Sequence, residues 1–158
     1  MRRKRWILFL VAAGLLLVLT ACGGAPNVDW ELQISGDVEN PTSYTFQELA
    51  KMEQMTLDEV MMEKSTGEDE VTSWSGVALS DLLNEAGAGD FSTLTALAAD
   101  GYAIEITADE LDNAIVALKD SGEWIADVSP DKGPIRLVTP ETPANRWVFQ
   151  LQEIQVNQ

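Results

Sequence analysis

The sequence predicts an α+β domain at residues 29–158, with a mixed, largely antiparallel, β-rich architecture and short helices. Two kinds of pattern support this class: apolar–polar alternations that recur over short stretches, and helix-start motifs followed by only a few helical residues. The first alternation runs through Trp30, Leu32 and Ile34 and ends at Gly36. Many short strands with few short helices are typical of α+β domains whose sheets are mainly antiparallel.

Three motifs predict the helices. Residues 45–48 (Thr-Phe-Gln-Glu) have capping-box spacing and open a short helix toward Met52, and residues 107–110 (Thr-Ala-Asp-Glu) repeat that spacing. Ser80 is expected to cap a third helix, which Gly87 ends.

The remaining strands are predicted from alternation or from short apolar runs bounded by turn residues. They cover residues 55–64, 94–99, 102–106, 115–118, 134–139 and 147–156, with a polar loop at 65–73 and a two-residue hairpin turn at Asp100-Gly101. Residues 55–64 fit a strand or a helix by period alone, and their neighbours favour a strand. The phase change within 147–156 requires a bulge or a break between two strands.

The N-terminal segment, residues 1–21, predicts a secretory signal peptide. Four cations at residues 2–5 precede an apolar run of 14 residues at 6–19. A membrane-spanning helix needs roughly 20 apolar residues, so this run is too short to cross comfortably. The alternative is an uncleaved membrane anchor, which the length and the small residues behind the run disfavour.

Cys22 is the predicted lipid attachment site. Leu19-Thr20-Ala21-Cys22-Gly23 resembles the bacterial lipobox. The resemblance implies thioether lipidation of Cys22, cleavage before it and acylation of the new amine, which together give stable anchoring. Residues 22–28 would then form a tether, and the protein would lie on the extracytoplasmic face of the cell membrane. In a Gram-negative host, Gly23 in place of Asp does not favour retention in the inner membrane, so the outer membrane is the alternative location.

Composition excludes several function classes. Residues 22–158 contain 26 acidic and 6 basic residues, a net charge of −20, which argues against nucleic acid and anionic lipid surfaces as electrostatic partners. The chain has no histidine, and Cys22 is its single cysteine, which excludes disulfides, Cys/His zinc sites and nucleophile–histidine catalysis. The densest acidic group, at residues 68–70, does not match a calcium loop and is interpreted as solvated.

The order of the segments resembles the molybdopterin-binding domain of the sulfite oxidase family, in its compact bacterial form. The matching pieces are LQISG at residues 32–36 with Val38 and Asn40-Pro41 behind it, FQEL at 46–49, WSGVAL at 74–79 with Leu82-Leu83, ADGY at 99–102, and GPIRLVTP at 133–140. Ile154 and Val156 close the domain as they do in the family. The resemblance implies the family's α+β fold and an ancestral site for the molybdenum cofactor.

The resemblance also implies a cysteine thiolate that bonds molybdenum in catalytic members, and that ligand is missing. The corresponding position lies near Lys64, and a protonated amine has no lone pair to give a metal. Members loaded with cofactor generally cross the membrane folded, through the twin-arginine route. Arg2-Arg3 lacks the surrounding pattern of that route, so unfolded export without cofactor is expected. Molybdopterin therefore stays possible only by resemblance, and no cofactor is the favoured expectation.

A possible ligand pocket comprises Asp100, Gly101, Tyr102, Arg136 and Arg146. Residues 100–102 could line the ancestral pocket, although an ordinary hairpin turn with Tyr102 at the core edge is the favoured interpretation. Arg136 could contact an anionic ligand or pair with one of the many acids. Arg136 and Arg146 could compensate an anionic phosphate only in part.

Trp74 and Trp147 could form an aromatic pocket, but packing in the core is the favoured interpretation. No residue is assigned a catalytic or metal-binding role.

Three functions follow as hypotheses. The favoured one is a non-catalytic, membrane-anchored module that binds a small ligand or a partner protein. The alternative is a molybdopterin-dependent oxidoreductase with atypical metal ligation. An accessory lipoprotein of a membrane redox complex is not distinguishable from the first by sequence.

Replacing Cys22 with serine tests the anchor. We expect C22S to stall unprocessed or to be released, because only the thiol can form the thioether. Metabolic labelling with a fatty acid and membrane fractionation measure this, with S80A as the processed control. Undiminished acylation of C22S would exclude Cys22 as the attachment site.

Overall fold

The computed structural model describes residues 24–158, so the predicted signal segment and Cys22 lie outside the described residues. Within that range, no helix has the length and apolar character needed to cross a bilayer. The secondary structure is dominated by strands. They are β1 (Glu31–Gly36), β2 (Thr42–Thr45), β3 (Met55–Met62), β4 (Glu70–Ala78), β5 (Thr93–Ala98), β6 (Ala103–Thr107), β7 (Ile115–Asp120), β8 (Glu123–Trp124), β9 (Arg136–Val138), β10 (Val148–Phe149) and β11 (Leu151–Asn157).

Helices in the described range are short. They are α1 (Phe46–Leu49), α2 (Leu79–Glu85) and α3 (Ile125–Val128), with two 3₁₀ turns at Ala108–Glu110 and Ala144–Arg146. Both predicted capping boxes are present, at Thr45 with Glu48 and at Thr107 with Glu110. Each satisfies backbone N–H groups that the first turn of a helix leaves unpaired.

Two sheets form the domain. The first has the strand order β2-β1-β11-β5-β6, and the second has β10-β9-β7-β4-β3 with β8 paired to β7. All pairings are antiparallel except that of β1 with β11, which joins the start of the domain to its end. The predicted α+β class, with a mixed and largely antiparallel sheet, is confirmed.

The main hydrophobic core lies between the two sheets and the helices. Its first-sheet members include Leu32, Ile34 and Ile154, all at most 1% exposed, and α1 and α2 add Phe46 and Leu82. The second sheet contributes alternate residues of its strands to this core. Burial of so many apolar side chains at roughly 25 cal/mol per Å² is the main stabilising term of the domain.

Strand β7 is buried on both of its faces. Val116 and Leu118 belong to the main core, whereas Ile115 and Ala117 belong to a second, smaller core on the opposite face of the sheet. A continuous apolar run in place of alternation is the sequence signature of such a strand. The predicted buried strand at residues 115–118 is therefore confirmed, and it gives the second sheet two apolar faces.

Several predicted boundaries differ from the structure. The loop at 65–73 is shorter than predicted, since β4 begins at Glu70 and Thr72 pairs with Val60 of β3. Helix α2 begins at Leu79, and its N-cap is Ala78 without a side-chain hydrogen bond, so the predicted cap at Ser80 is wrong. The burial of Leu79 against the core sets that start in place of a polar cap.

The hairpin between β5 and β6 is one residue longer than predicted. Ala98 N–H donates to Tyr102 O at 2.8 Å, which leaves three residues, 99–101, in the connection. Gly101 has φ +89°, the left-handed conformation that closes a three-residue hairpin. Residues 147–156 contain both predicted alternatives. Gln150 (φ +47°) separates β10 from β11, and the pairing of β11 with β5 shifts register between Leu151 and Glu153, where the phase of burial changes.

Gly76 is required by the close approach of β4 and β7. A Cβ at this position would overlap the carbonyl oxygen of Val116 and lie 2.6 Å from Cα of Ala117. We expect Gly76→Ala to lower the free energy of unfolding by about 2 kcal/mol or more, as overpacking does. Gly89→Ala is the control, because nothing lies within 4 Å of its Cβ position. Equal denaturation midpoints for the two variants would refute this account.

Candidate functional site

A cleft of about 250 Å³ opens beside the second core, on the outer face of the second sheet. Its apolar walls include Met62, Trp74, Ile125 and Phe149. A second lobe of about 280 Å³ adjoins it, and the two share five residues of their walls, namely Met62, Lys64, Lys132, Arg136 and Phe149. The cleft is therefore partly apolar, partly cationic and open to solvent.

Basic residues are concentrated in this cleft. Lys64, Lys132 and Arg136 line both lobes, which is three of the six basic residues that follow Cys22. The acidic residues of its wall are Glu70 and Asp120. The cleft is thus locally positive within a strongly acidic chain, an arrangement that attracts anions.

Strand β9 places Arg136 at the base of the cleft. Arg136 pairs with Ala117 of β7 and with Phe149 of β10. Alternation along β9 sends Leu137 into the main core and Val138 into the second core, so Arg136 shares the outer face of the sheet with Val138.

Three aromatic rings surround the Arg136 guanidinium. Its Cζ lies 4.0 Å from the ring centroid of Phe149, 4.8 Å from that of Trp74 and 5.1 Å from that of Trp147. Each contact is within the range of a cation–π interaction, worth about 0.5–2 kcal/mol. The three rings therefore hold the guanidinium in place.

Arg136 is almost fully buried, with 6% of its surface exposed. Burial lowers its pKa to about 10, and the Asp120 carboxylate partly opposes that effect. The side chain stays charged at neutral pH, and a lowering of this size corresponds to about 3 kcal/mol of disfavoured charge. Its Nε atom has no hydrogen-bond partner among the described residues, so a buried donor is left unsatisfied.

Lys64 follows β3 directly and reaches the mouth of the cleft. Its Nζ lies 2.7 Å from Oε2 of Glu70, and its backbone N–H donates to Oδ1 of Asp69 at 3.0 Å. The ion pair lowers the pKa of Glu70. The resemblance implies a thiolate at a position near Lys64, and the structure places the Lys64 side chain in the wall of the cleft.

Trp74 and Trp147 pack in the second core, as predicted, with 3% of each side chain exposed. The rings meet edge to face at 6.0 Å between centroids. Trp74 Nε1 donates to Thr72 Oγ1 at 2.8 Å, and Trp147 Nε1 donates to the carbonyl of Thr139 at 2.9 Å. Both rings are fixed by these bonds, so they form a rigid support for Arg136.

Asp100 and Tyr102 line a separate hollow of about 260 Å³ on the other side of Phe149. The Tyr102 hydroxyl donates to the Asn145 carbonyl at 3.4 Å, and Asp100 Oδ1 accepts the Tyr102 N–H at 2.9 Å. The second bond is the turn-stabilising role expected of an ordinary hairpin, and Gly101 completes that turn. These residues lie near the cleft without contributing to its cationic wall.

Arg146 is held away from the cleft by a structural ion pair. Its Nη2 lies 2.8 Å from Oε2 of Glu110 and donates to the Glu105 carbonyl at 3.2 Å. Glu110 is also the capping residue of the preceding 3₁₀ turn, so Arg146 ties two loops together. Of the five residues predicted for one pocket, the structure places only Arg136 in the cationic cleft.

Sequence analysis missed Lys132 and Phe149 as parts of the site. Lys132 lies in the loop after α3, and its carbonyl accepts the N–H of Gln150 at 3.3 Å. Lys132 is one of only six basic residues after Cys22, and that scarcity could have made it a candidate. The predicted irregularity within residues 147–156 could have indicated that Phe149 points away from the core, where it is 38% exposed. Nothing in the linear sequence brings residues 64, 132 and 149 together.

Comparison with known proteins identifies the family. The family model described as "Oxidoreductase molybdopterin binding domain" matches residues 22–158. No curated protein matches the sequence.

Among solved structures, the sulfane dehydrogenase SoxCD from Paracoccus pantotrophus is similar in fold, with a TM-score of 0.72 and 24% sequence identity. The match covers 85% of this chain and 40% of the SoxCD chain, so this chain spans well under half of that protein's length. The fold, the order of its elements and the family match agree, and the chain belongs to the oxidoreductase molybdopterin-binding domain family.

Proposed function

We propose that this domain is a non-catalytic binding module, carried on an exported lipoprotein, that holds a small organic anion in the cationic cleft. The observation that carries the proposal is the placement of Lys64, Lys132 and Arg136 around one cleft with aromatic walls. Half of the basic residues after Cys22 meet there, in a segment of net charge −20.

The energetics of Arg136 support a binding role. Burial disfavours the charged guanidinium, its Nε has no partner among the described residues, and cation–π contacts offset the desolvation only in part. A bound anion would pair with the charge and recover part of that free energy. A ligand that recovers this free energy binds the folded protein favourably and stabilises it, as expected for a binding site.

The residues of the cleft do not fit the molybdenum of the family's cofactor. Their polar groups are ammonium, guanidinium, hydroxyl and two carboxylates, whereas the resemblance implies a soft thiolate donor. Residues 24–158 contain no group of three His, Cys, Asp or Glu side chains arranged to hold a metal ion. The cations could face a phosphate, but no step of catalysis follows from them.

Family membership favours a second candidate, a molybdopterin-dependent oxidoreductase with atypical metal ligation. In that case the cofactor would be held through its phosphate and pterin, with no protein ligand to the metal from the cleft. Binding of a partner protein, including an accessory role in a membrane redox complex, is the third candidate. For all three, we propose attachment to the membrane through Cys22 on the extracytoplasmic face.

Titration with simple anions tests the binding proposal. We expect the protein lacking residues 1–21 to bind at least one of acetate, benzoate and inorganic phosphate in isothermal titration calorimetry. Lys132→Gln should weaken binding by roughly tenfold, the loss expected for one charge-assisted contact. Lys51→Gln removes the same charge at an exposed position outside the cleft and should leave the affinity unchanged. Equal losses in both variants would indicate only a general charge effect.

Arg136→Met separates binding from stability. The substitution removes a costly buried charge together with its cation–π contacts, so we expect the free energy of unfolding to change by less than about 1 kcal/mol. Anion binding should be lost. A variant that binds as well as the parent would remove Arg136 from the site.

Elemental analysis distinguishes the two leading candidates. We expect protein purified from its own host to contain molybdenum far below one equivalent and to release no fluorescent pterin after oxidation. Stoichiometric molybdenum would overturn the binding proposal in favour of the oxidoreductase. An authentic sulfite oxidase-type enzyme prepared alongside verifies that the cofactor survives purification.

A further inference from the structure

We propose that the ligand is an organic carboxylate with a flat apolar group, and that Phe149 is the residue that limits its size. This inference rests on the proposed binding function and specifies its ligand class. Four features support it: the charge inventory of the cleft, the stacked Arg136, the apolar rings beside it, and the position of the Phe149 ring between neighbouring hollows.

The charge inventory favours one negative charge over two. Lys64 is already paired with Glu70 at 2.7 Å, and Asp120 acts on Arg136. Three cations and two acids leave one net positive charge in the wall of the cleft. A dianion would reverse the sign of the filled cleft and leave it with a net negative charge, in a protein whose overall charge is already strongly negative. A carboxylate matches the residual charge, whereas a phosphate monoester or sulfate exceeds it.

The position of the cations relative to Phe149 favours an apolar group next to the carboxylate. Arg136 Cζ lies 4.0 Å from the Phe149 centroid, and Lys132 Nζ lies 5.6 Å from the same centroid. A carboxylate held by these two cations therefore comes to rest against an aromatic ring. Trp74, Met62 and Ile125 extend the apolar surface. Phe149 is 38% exposed, so a planar group can pack against the free part of its ring in the offset or edge-to-face geometry that aromatic pairs prefer.

Phe149 separates three hollows. Its side chain lines the cleft of about 250 Å³, the second lobe of about 280 Å³ and the Asp100–Tyr102 hollow of about 260 Å³. Phe149 lies on the two-residue edge strand β10 and is 38% exposed. Its ring is not part of the main hydrophobic core, so its removal should leave that core intact. Truncation of this one side chain would join spaces that are each small for a ligand site into a larger one.

The test uses benzoate, 2-naphthoate and phenylphosphonate as probes with the protein lacking residues 1–21. Calorimetry is performed above the second ionisation of the phosphonate, so that it carries two charges on the same ring. We expect benzoate to bind more tightly than phenylphosphonate. We expect Phe149→Ala to shift the affinity ratio of 2-naphthoate to benzoate in favour of the larger acid by roughly tenfold, with Phe149→Leu in between.

Val128→Ala is the matched control, because Val128 is an exposed apolar residue that lines none of the three hollows. Its affinity ratio should equal that of the parent. Thermal unfolding of every variant identifies loss of fold, and the leucine variant then decides the result.

The outcomes separate the two proposals. Binding of phenylphosphonate in preference to benzoate would overturn the ligand class but leave the anion-binding function intact. An unchanged size ratio in Phe149→Ala and Phe149→Leu would overturn the role of Phe149. Failure of the parent protein to bind any of the probes, or acetate and inorganic phosphate, would overturn the proposed function itself.

Discussion

The burial of β7 on both faces is the constraint on which the rest of the structure depends. Because residues 115–118 are apolar without interruption, the second sheet must be covered on two sides. The first sheet and the helices cover one side. The other side is covered by Trp74, Trp147 and the segments around them, and this second core is small. The cleft lies at the edge of this second core, and Trp74 and Ile125 belong to both. The position of the cleft therefore depends on the burial of the outer face of β7.

Arg136 connects this architecture to function. Strand β9, which lies between β7 and β10, places Arg136 beside the second core. A hydrophobic residue at this position would pack there without the desolvation of a charge. Trp74, Trp147 and Phe149 compensate by presenting ring faces to the guanidinium. The result is a charge that is rigidly placed and only partly neutralised. Stability alone does not explain such an arrangement, since an aliphatic residue would avoid the desolvation of the charge.

Local patterns in the sequence were sufficient for much of the fold. Both capping boxes, the first strand, the doubly buried strand and the division of residues 147–156 follow from neighbouring residues, so they could be predicted. The start of α2 could not, because Leu79 is placed by the core and not by a polar cap. Of the site, only Arg136 was anticipated. Lys64, Lys132 and Phe149 meet through long-range pairing of β3, β9 and β10 with their neighbours, which no local pattern encodes.

The chemistry of the basic side chains limits the kind of binding that we propose for the cleft. A thiolate bonds a metal strongly, whereas Lys64, Lys132 and Arg136 act only through charge and hydrogen bonds. Exposed charges are screened beyond about 8 Å at physiological ionic strength, but a buried charge is screened much less. Attraction by the exposed Lys132 should therefore weaken with salt, while Arg136 keeps its hold on a ligand that has displaced water from the rings. Under the proposed binding function, Lys132 would then contribute mainly to the rate of association, and Arg136 to the lifetime of the complex.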